Sequence, residues 1–381
     1  MKTKTKLLLI GGGSGGHLYP LLTLAQEVCD KQILKPENLH FIIADNNADF
    51  RYFESNNLYK NFTYSKYSVA KLRRYFSWQN FIDFFIFFKN IIKSFSFLVF
   101  NRPDKIFSKG GFVSLPFGIS AFFLRIPFFL HETDSAMGLS NRILSVFAKK
   151  IFTGFPLKTK NSKYIFIGNP VRAEFFDIPK GNNLKTLHIL IFGGSQGAKV
   201  LNEWAREFFN ISKNKELENV LTLMKKNIEV LIISGKNKSN AERINKITEI
   251  NNNFLSTSEY KIFVKEVEFL TSDFVQTIHN SDIVIARAGG SIAELAAAQK
   301  CTVLVPLPTS ANNHQQKNAD YFTSENAVLQ IQETDLHKKE TYKRLNELFS
   351  SEKQQKNLSN KLTEFARPHV VENLIKELEL Q

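Results

Sequence analysis

The chain has 381 residues, 43% of them hydrophobic, which is enough for proper cores and more than one domain usually holds. Its formal net charge of +14 points to a polyanionic partner or surface. The two cysteines, Cys29 and Cys301, lie far apart and read as small buried residues of a reducing compartment, which excludes a disulfide or metal framework, and no uncharged stretch is long enough to span a bilayer.

The amino terminus, MKTKTKLLLIGGG, is basic and then apolar for only four residues. That is too short for a signal peptide and fits a first strand, Leu7 to Ile10, of a cytosolic or peripheral protein. Gly11, Gly13 and Gly16 follow in a G-x-G-x-x-G pattern, and LHFIIAD reads as a second strand ending at Asp45. A dinucleotide enzyme shows that pair of features, but Asp45 stands farther along than the usual spacing of about 20 residues. His17 comes directly after the glycines. It either serves a cleft with a nitrogen basic near neutral pH or simply caps the turn in solvent.

Phe76 to Phe100, FSWQNFIDFFIFFKNIIKSFSFLVF, holds more phenylalanine than one helical face needs. Asp83, Lys89 and Lys93 interrupt it, which argues against a transmembrane helix. Lys71, Arg73 and Arg74 precede it, Arg102 follows, and Phe122, Phe123, Phe128 and Phe129 form a second cluster. Part of this is core. The excess reads as an aromatic surface with flanking cations offered to an anionic membrane. No nucleic-acid motif accompanies it.

Asp104 to Phe112 is predicted as a strand running into a glycine turn, and Ile126 to Leu130 as a strand. Polar residues crowd behind the latter, from His131-Glu132-Thr133-Asp134 to Asn141-Arg142, where sites in such sheets lie. Adjacent residues on a loop give no established metal-ligand spacing. Gly168-Asn169-Pro170-Val171-Arg172 reads as the hinge between halves, with Arg172 available to an anion.

Leu187 to Phe192 opens a second strand–glycine–helix unit, GGSQGA, in which Ser195 can donate to a phosphate. Glu268-Phe269-Leu270 reads as a loop before a helix. The unit is plainest in Ser281 to Lys300, SDIVIARAGGSIAELAAAQK. Ile283-Val284-Ile285 suits a buried parallel strand, Ala288-Gly289-Gly290 a tight turn, Ser291 an N-cap and Ile292 to Ala298 a helix. Such a helix start favours phosphate. Glu294, in the first turn, suits either a ribose diol beside a diphosphate or plain compensation of the helix dipole. The amide-rich loop Pro308 to Ala319 suits sugar hydroxyls, although its residues are also ordinary loop formers. With this grammar in both halves, the fold class is α/β. Two Rossmann-like doubly wound domains are expected to face each other across a cleft, at 1–168 and 169–359, with a C-terminal helix at about 360–381 packing back on the first.

Four stretches together carry a family resemblance: Gly12-Gly13-Ser14-Gly15-Gly16-His17-Leu18-Tyr19-Pro20, Gly168 to Arg172, Gly193-Gly194-Ser195-Gln196-Gly197-Ala198, and Asn313-His314-Gln315 with Asn318-Ala319. In that order they resemble the MurG family of peptidoglycan N-acetylglucosaminyltransferases, over nearly the whole chain. The resemblance implies a GT-B fold and transfer of GlcNAc, with inversion, from UDP-GlcNAc to the C4 hydroxyl of MurNAc in undecaprenyl-diphosphate-linked MurNAc-pentapeptide. It implies no tightly bound metal or other cofactor, and a peripheral place on the cytoplasmic face of the membrane. Carried over by motif, Arg172, Ser195, Leu270, Ser291 and Glu294 meet the nucleotide and Gln315 the sugar. Ser14, Gly15, Gly16 and His17 face the acceptor diphosphate and the transferring sugar. The family usually reads His-Glu-Gln-Asn where this chain has His131-Glu132-Thr133-Asp134. Asp134 is therefore expected either to accept from a donor-sugar hydroxyl or, like His17, to be the base on the acceptor hydroxyl. The turn from Arg287 to Glu294 is one residue shorter than usual. Rival readings are a transferase acting on another lipid such as diacylglycerol, a nicotinamide-dependent oxidoreductase, a non-catalytic sugar-nucleotide binder and a UDP-GlcNAc epimerase.

Overall fold

The computed structural model describes residues 5–12, 15–45, 61–68, 78–157, 159–178, 185–194, 197–210, 214–235, 250–251, 259–268, 270 and 273–380. Ser14, Ser195, Phe269 and the cations Lys71, Arg73 and Arg74 lie outside them. The chain divides into two units, Met1–Arg172 with Arg367–Gln381, and Ala173–Ala366.

The first unit has seven strands: β1 (Leu7–Ile10), β2 (Leu39–Ala44), β3 (Thr63–Tyr67), β4 (Lys105–Ser108), β5 (Phe128–Glu132), β6 (Lys150–Thr153) and β7 (Tyr164–Phe166). Their order in the sheet is β3-β2-β1-β4-β5-β6-β7, and every pairing is parallel. β1 and β2 are apolar along nearly their whole length, as strands covered on both faces must be, and β5 is buried throughout. The connecting helices are α1 (Gly15–Asp30), α2 (Trp78–Asn101), α3 (Ser114–Phe123) and α4 (Leu139–Phe147).

The second unit repeats the plan with β8 (Thr186–Phe192), β9 (Asn227–Ile233), β10 (Ile250–Asn251), β11 (Ile262–Val267), β12 (Ile283–Ala286), β13 (Cys301–Leu304) and β14 (Leu329–Gln330). The order is β10-β11-β9-β8-β12-β13-β14, parallel except for the short edge strand β10. Its helices are α5 (Lys199–Phe208), α6 (Glu216–Met224), α7 (Phe274–Asn280), α8 (Ile292–Ala297), α9 (His314–Ser324), α10 (Lys339–Ser350) and α11 (Glu352–Thr363). Trp204, Phe208, Phe209 and Phe349 fill the core on one side of this sheet.

The chain then returns to the first unit. There α12 (Val370–Glu377) packs on α1, with Glu372 bonded to Lys31 at 2.8 Å. Gly168 makes room for this return. Its φ is +96°, and a Cβ there would lie 3.0 to 3.2 Å from Val370 and Arg367. The break falls after Arg172, four residues beyond the expected boundary, and α11 stays with the second unit.

In both sheets the strand order reverses direction beside the first strand, between β1 and β4 and between β8 and β12. Such a switch point opens a crevice at the carboxyl ends of the strands.

Candidate active site

In the first domain the switch point is framed by glycines. A Cβ at Gly11 would sit 2.8 Å from Leu21 Cδ1 and 3.1 Å from the His17 carbonyl oxygen, so glycine lets α1 close on β1 with neither displaced. Because α1 opens at Gly15, Gly16 and His17 occupy its first turn, at the positive end of the helix dipole. Gly16 is exposed and His17 half-buried. After β4, Gly110 and Gly111 adopt φ of +82° and +83°, a region that disfavours side chains. Two serines close this turn. Ser108 Oγ accepts from the Gly110 N–H at 2.9 Å and donates to Ser114 Oγ at 2.7 Å, which donates to the Gly110 carbonyl at 2.7 Å. A Cβ on Gly111 would lie 3.3 Å from His17 Nδ1, so the imidazole rests against this glycine.

β5 runs two residues farther than the apolar pattern implied. His131 pairs with Phe152 and Glu132 with Thr153, so both are buried strand residues and not loop residues. Backbone pairing outweighs their polarity because each polar atom finds a partner. Glu132 Oε1 accepts from the Asp134 N–H at 3.1 Å, and Oε2 from the Gly138 N–H at 3.2 Å and Asn141 Nδ2 at 2.8 Å. These bonds shape the loop that carries half-buried Asp134. His131 Nδ1 lies 2.6 Å from Lys109 Nζ, and its Nε2 lies 2.8 Å from the Gly168 carbonyl. Both ring nitrogens are thus engaged, which leaves neither for a metal.

Lys109 is buried, and that burial pushes its pKa down to about 7 against the pull of Glu132 and Asp134. Burial, then the Lys109 charge, holds His131 well below the ordinary imidazole range, while the Gly168 bond opposes the shift. Glu132 is raised by burial and by Asp134, against its three hydrogen bonds. For Lys109 the folded pKa lies below the unfolded value of 10.5, so unfolding takes up a proton between about pH 7 and pH 10 and stability rises with pH across that window. His131 acts in the same direction below 6.5. The stability difference between Lys109→Met and the wild type should therefore favour the variant most at or below about pH 7 and move toward the wild type up to about pH 10. Thermal unfolding of both proteins across pH checks this; a pH-independent difference would contradict it.

The second switch point has the same design. A buried cation stands directly after the strand that flanks the first strand: Lys109 after β4, Arg287 after β12. Arg287 Nη1 donates to the carbonyls of Val305 at 3.1 Å and Pro306 at 3.4 Å, and Nη2 pairs with Glu333. Asn318 Nδ2, buried, donates to the Ala288 carbonyl at 3.0 Å. The turn is thereby held between β12 and the loop after β13. Around Gly289 the space that a Cβ would take is open, as it is at Gly194, so a ligand can approach either backbone. Glu294 is half-buried in the first turn of α8. Gln315 Oε1 is taken by the Leu307 N–H at 2.9 Å, which leaves its amide NH2 as the group to offer a ligand. Leu270 is half-buried beyond the end of β11.

The glycosyltransferase family 28 N-terminal domain matches residues 7–153, and the glycosyltransferase family 28 C-terminal domain matches residues 188–374. The UDP-N-acetylglucosamine--N-acetylmuramyl-(pentapeptide) pyrophosphoryl-undecaprenol N-acetylglucosamine transferase of Borrelia hermsii is 31% identical over 96% of this chain and 94% of its own. The transferase of the same description from Streptococcus agalactiae is 32% identical over 93% of this chain and 92% of its own. The chain belongs to the MurG family. The crystal structure of Acinetobacter baumannii MurG superposes with a TM-score of 0.71 at 21% identity, each chain being covered completely, so the MurG fold is this one.

Within this MurG-family chain the expected site residues fall into two groups. Gly15, Gly16, His17, Asp134 and Arg172 lie in the first domain; Leu270, Ser291, Glu294 and Gln315 lie in the second. Arg172 was expected with the nucleotide domain. It is instead the last residue of the first unit before the crossover, with its guanidinium 5.6 Å from the Tyr19 ring centroid. Ser291 precedes α8 but makes no capping bond. Its φ and ψ of −63° and −14° are already helical, and a capping side chain needs an extended residue. Pro20 lies inside α1, beyond the first turn, and withholds a hydrogen bond from the Gly16 carbonyl. Lys109, Arg287 and Asn141 escaped the sequence reading as site residues. The available signal was a lone cation directly after an apolar strand, in KIFSK and IVIAR.

Proposed function

We propose that this chain transfers GlcNAc, with inversion, from UDP-GlcNAc to the C4 hydroxyl of MurNAc in undecaprenyl-diphosphate-linked MurNAc-pentapeptide. The observation that carries the reading is the presence, on one MurG-family chain, of two switch-point sites with complementary chemistry. The second domain offers open glycine backbone, a helix start and Glu294. The first offers His17 and Asp134. The second takes the nucleotide: backbone N–H groups at the glycine turns offset the diphosphate charge, Glu294 accepts from the ribose diol, and the Gln315 amide donates to the sugar. His17 or Asp134 removes the C4 hydroxyl proton as that oxygen attacks the anomeric carbon, while UDP leaves from the opposite face. Release of UDP from UDP-GlcNAc should depend on the lipid-linked acceptor; equal release with and without it would refute the transfer. Glu294→Ala should weaken UDP binding about 10- to 100-fold, the worth of one or two charge-assisted hydrogen bonds. An unchanged titration would return Glu294 to dipole compensation.

The second part of the reading is a bilayer surface. On α2, Phe85, Phe88, Ile92, Phe95 and Val99 are exposed at spacings of three and four, on one stripe. Leu98 and Ser94 are buried. α3 packs on α2 and α4 on α3, adding exposed Phe122, Phe123 and Val146. Lys89, Arg102, Arg125 and Arg142 are exposed on the same three helices or their ends. A patch this large on a soluble surface marks an interaction site, and the arginines and lysine suit anionic headgroups. Among the described residues no helix is long and apolar enough to cross a membrane. We infer peripheral binding at the cytoplasmic leaflet. Ile92→Glu with Phe123→Glu should reduce cosedimentation with phosphatidylglycerol vesicles about tenfold or more, two charges being introduced where apolar burial and anionic lipid both oppose them. Unchanged cosedimentation would remove the patch from the scheme.

A further inference from the structure

Lys109 has no role in the transfer as described, yet it is a nearly fully buried cation, 1% exposed, at the centre of the first site. Buried ammonium groups are rare without a reason. The hydrogen bonds around it run in only one direction. The Gly168 carbonyl can only accept, so His131 Nε2, 2.8 Å away, carries the ring proton. His131 Nδ1 is then the acceptor, and Lys109 Nζ at 2.6 Å the donor. One residue beyond Gly168, Asn169 Nδ2 donates to the Thr133 carbonyl at 3.1 Å. The segment that leads out of the first domain therefore grips the end of β5 at His131 and the start of the Asp134 loop at Thr133. Its far end, Arg172, lies over Tyr19, two residues from His17.

We propose that Lys109 is a positioning residue, which by donating to His131 Nδ1 holds the ring proton on Nε2 and so fastens the end of β5, from which the Asp134 loop leaves, to the Gly168–Arg172 segment. This rests on the transfer reading above for its consequence, but not for its chemistry. If Lys109 is replaced by a side chain that cannot donate, the proton of the neutral ring is free to move to Nδ1. The Gly168 bond is then lost, and the stretch that carries Asp134 keeps only the Asn169 tie to that segment. Arg287 offers an internal precedent. From the equivalent place in the second sheet it fastens its own turn to carbonyls of the next loop.

The test uses the full chain and two variants. Lys109→Met is unbranched, one atom shorter, and removes the donor; Lys109→Gln, of the same reach as Met, restores a neutral donor. With histidine-selective nitrogen-15 labelling and no substrate present, the wild type should show His131 as the Nε2–H tautomer. Lys109→Met should shift the population toward Nδ1–H, and Lys109→Gln should return it. In the transfer assay, Lys109→Met should lower kcat about 10- to 100-fold with the KM for UDP-GlcNAc little changed, as expected for a misplaced group. Lys109→Gln should recover most of kcat. A purely structural lysine would give a different pattern, with kcat following thermal stability and no selective rescue by glutamine. An Nδ1–H tautomer in the wild type, an unaltered tautomer in Lys109→Met, or wild-type kcat in that variant would overturn the proposal. If the tautomers behave as stated but the wild type transfers no sugar, the transfer reading fails and the hydrogen-bond assignment stands. Should Lys109→Met not fold, the wild-type tautomer and the glutamine variant still decide the matter.

Discussion

Replacing His17 with alanine should lower transfer turnover by about 10²- to 10⁴-fold, the usual worth of a positioned acid or base, while leaving UDP affinity unchanged. The affinity should hold because His17 belongs to the first folded unit and Glu294, the proposed ribose contact, to the second. His17 has what a base needs: a ring in the first turn of α1, half-buried, held against Gly111. Asp134→Asn is the companion measurement. It preserves shape and hydrogen bonding but cannot take a proton, so a comparable loss would make Asp134 the base or its partner. Survival of near-normal turnover in either variant removes that residue from proton transfer. If His17→Ala alone is crippled, Asp134 is left to contact the donor sugar, where the family usually has asparagine. Steady-state kinetics with the lipid-linked acceptor, set beside UDP titration of each variant, separates these outcomes.

The second large effect is expected from backbone packing and not from a reacting side chain. Gly197→Ala should destabilise the second domain by about 2–5 kcal/mol and abolish UDP binding. A left-handed backbone costs a side chain about 1–2 kcal/mol, and Gly197 has a φ of +75°. The added Cβ would stand 2.1 Å from the Ser234 carbonyl oxygen and 2.9 Å from Gly235 Cα. These are backbone atoms, so no rotamer relieves the contact. They cannot retreat either. Ser234 O accepts from Asn202 Nδ2 at 2.9 Å, the Ser234 N–H bonds Val267 and the Gly235 N–H bonds Glu268. The loop leading into α5 would have to open. A drop of about 5–15 °C in the thermal midpoint follows for a domain of this size. A stable variant that still binds UDP would show that the loop leading into α5 is not part of the nucleotide site.

How much of this was legible in the sequence depends on the range of the forces involved. Strand runs such as LLLI and IVIA declare themselves because a parallel strand covered on both faces must be apolar. The glycine turns declare themselves because no other residue tolerates the backbone they need. Both are local constraints, and with the family motifs they specify two Rossmann-like domains and the switch-point glycines from the sequence by itself, and they make His17 and Glu294 candidates. The reach of β5 through Glu132, the missing side-chain cap at Ser291, the place of Arg172 on Tyr19 and the buried bond from Lys109 to His131 were settled only by tertiary structure. Three of these depend on a partner distant in the chain: Phe152 and Thr153 for β5, Tyr19 for Arg172, and Gly168 for His131. A buried charge or a polar strand residue is stable only when such a partner is delivered to it. That delivery is a property of the packed sheet and is not written in the neighbouring residues.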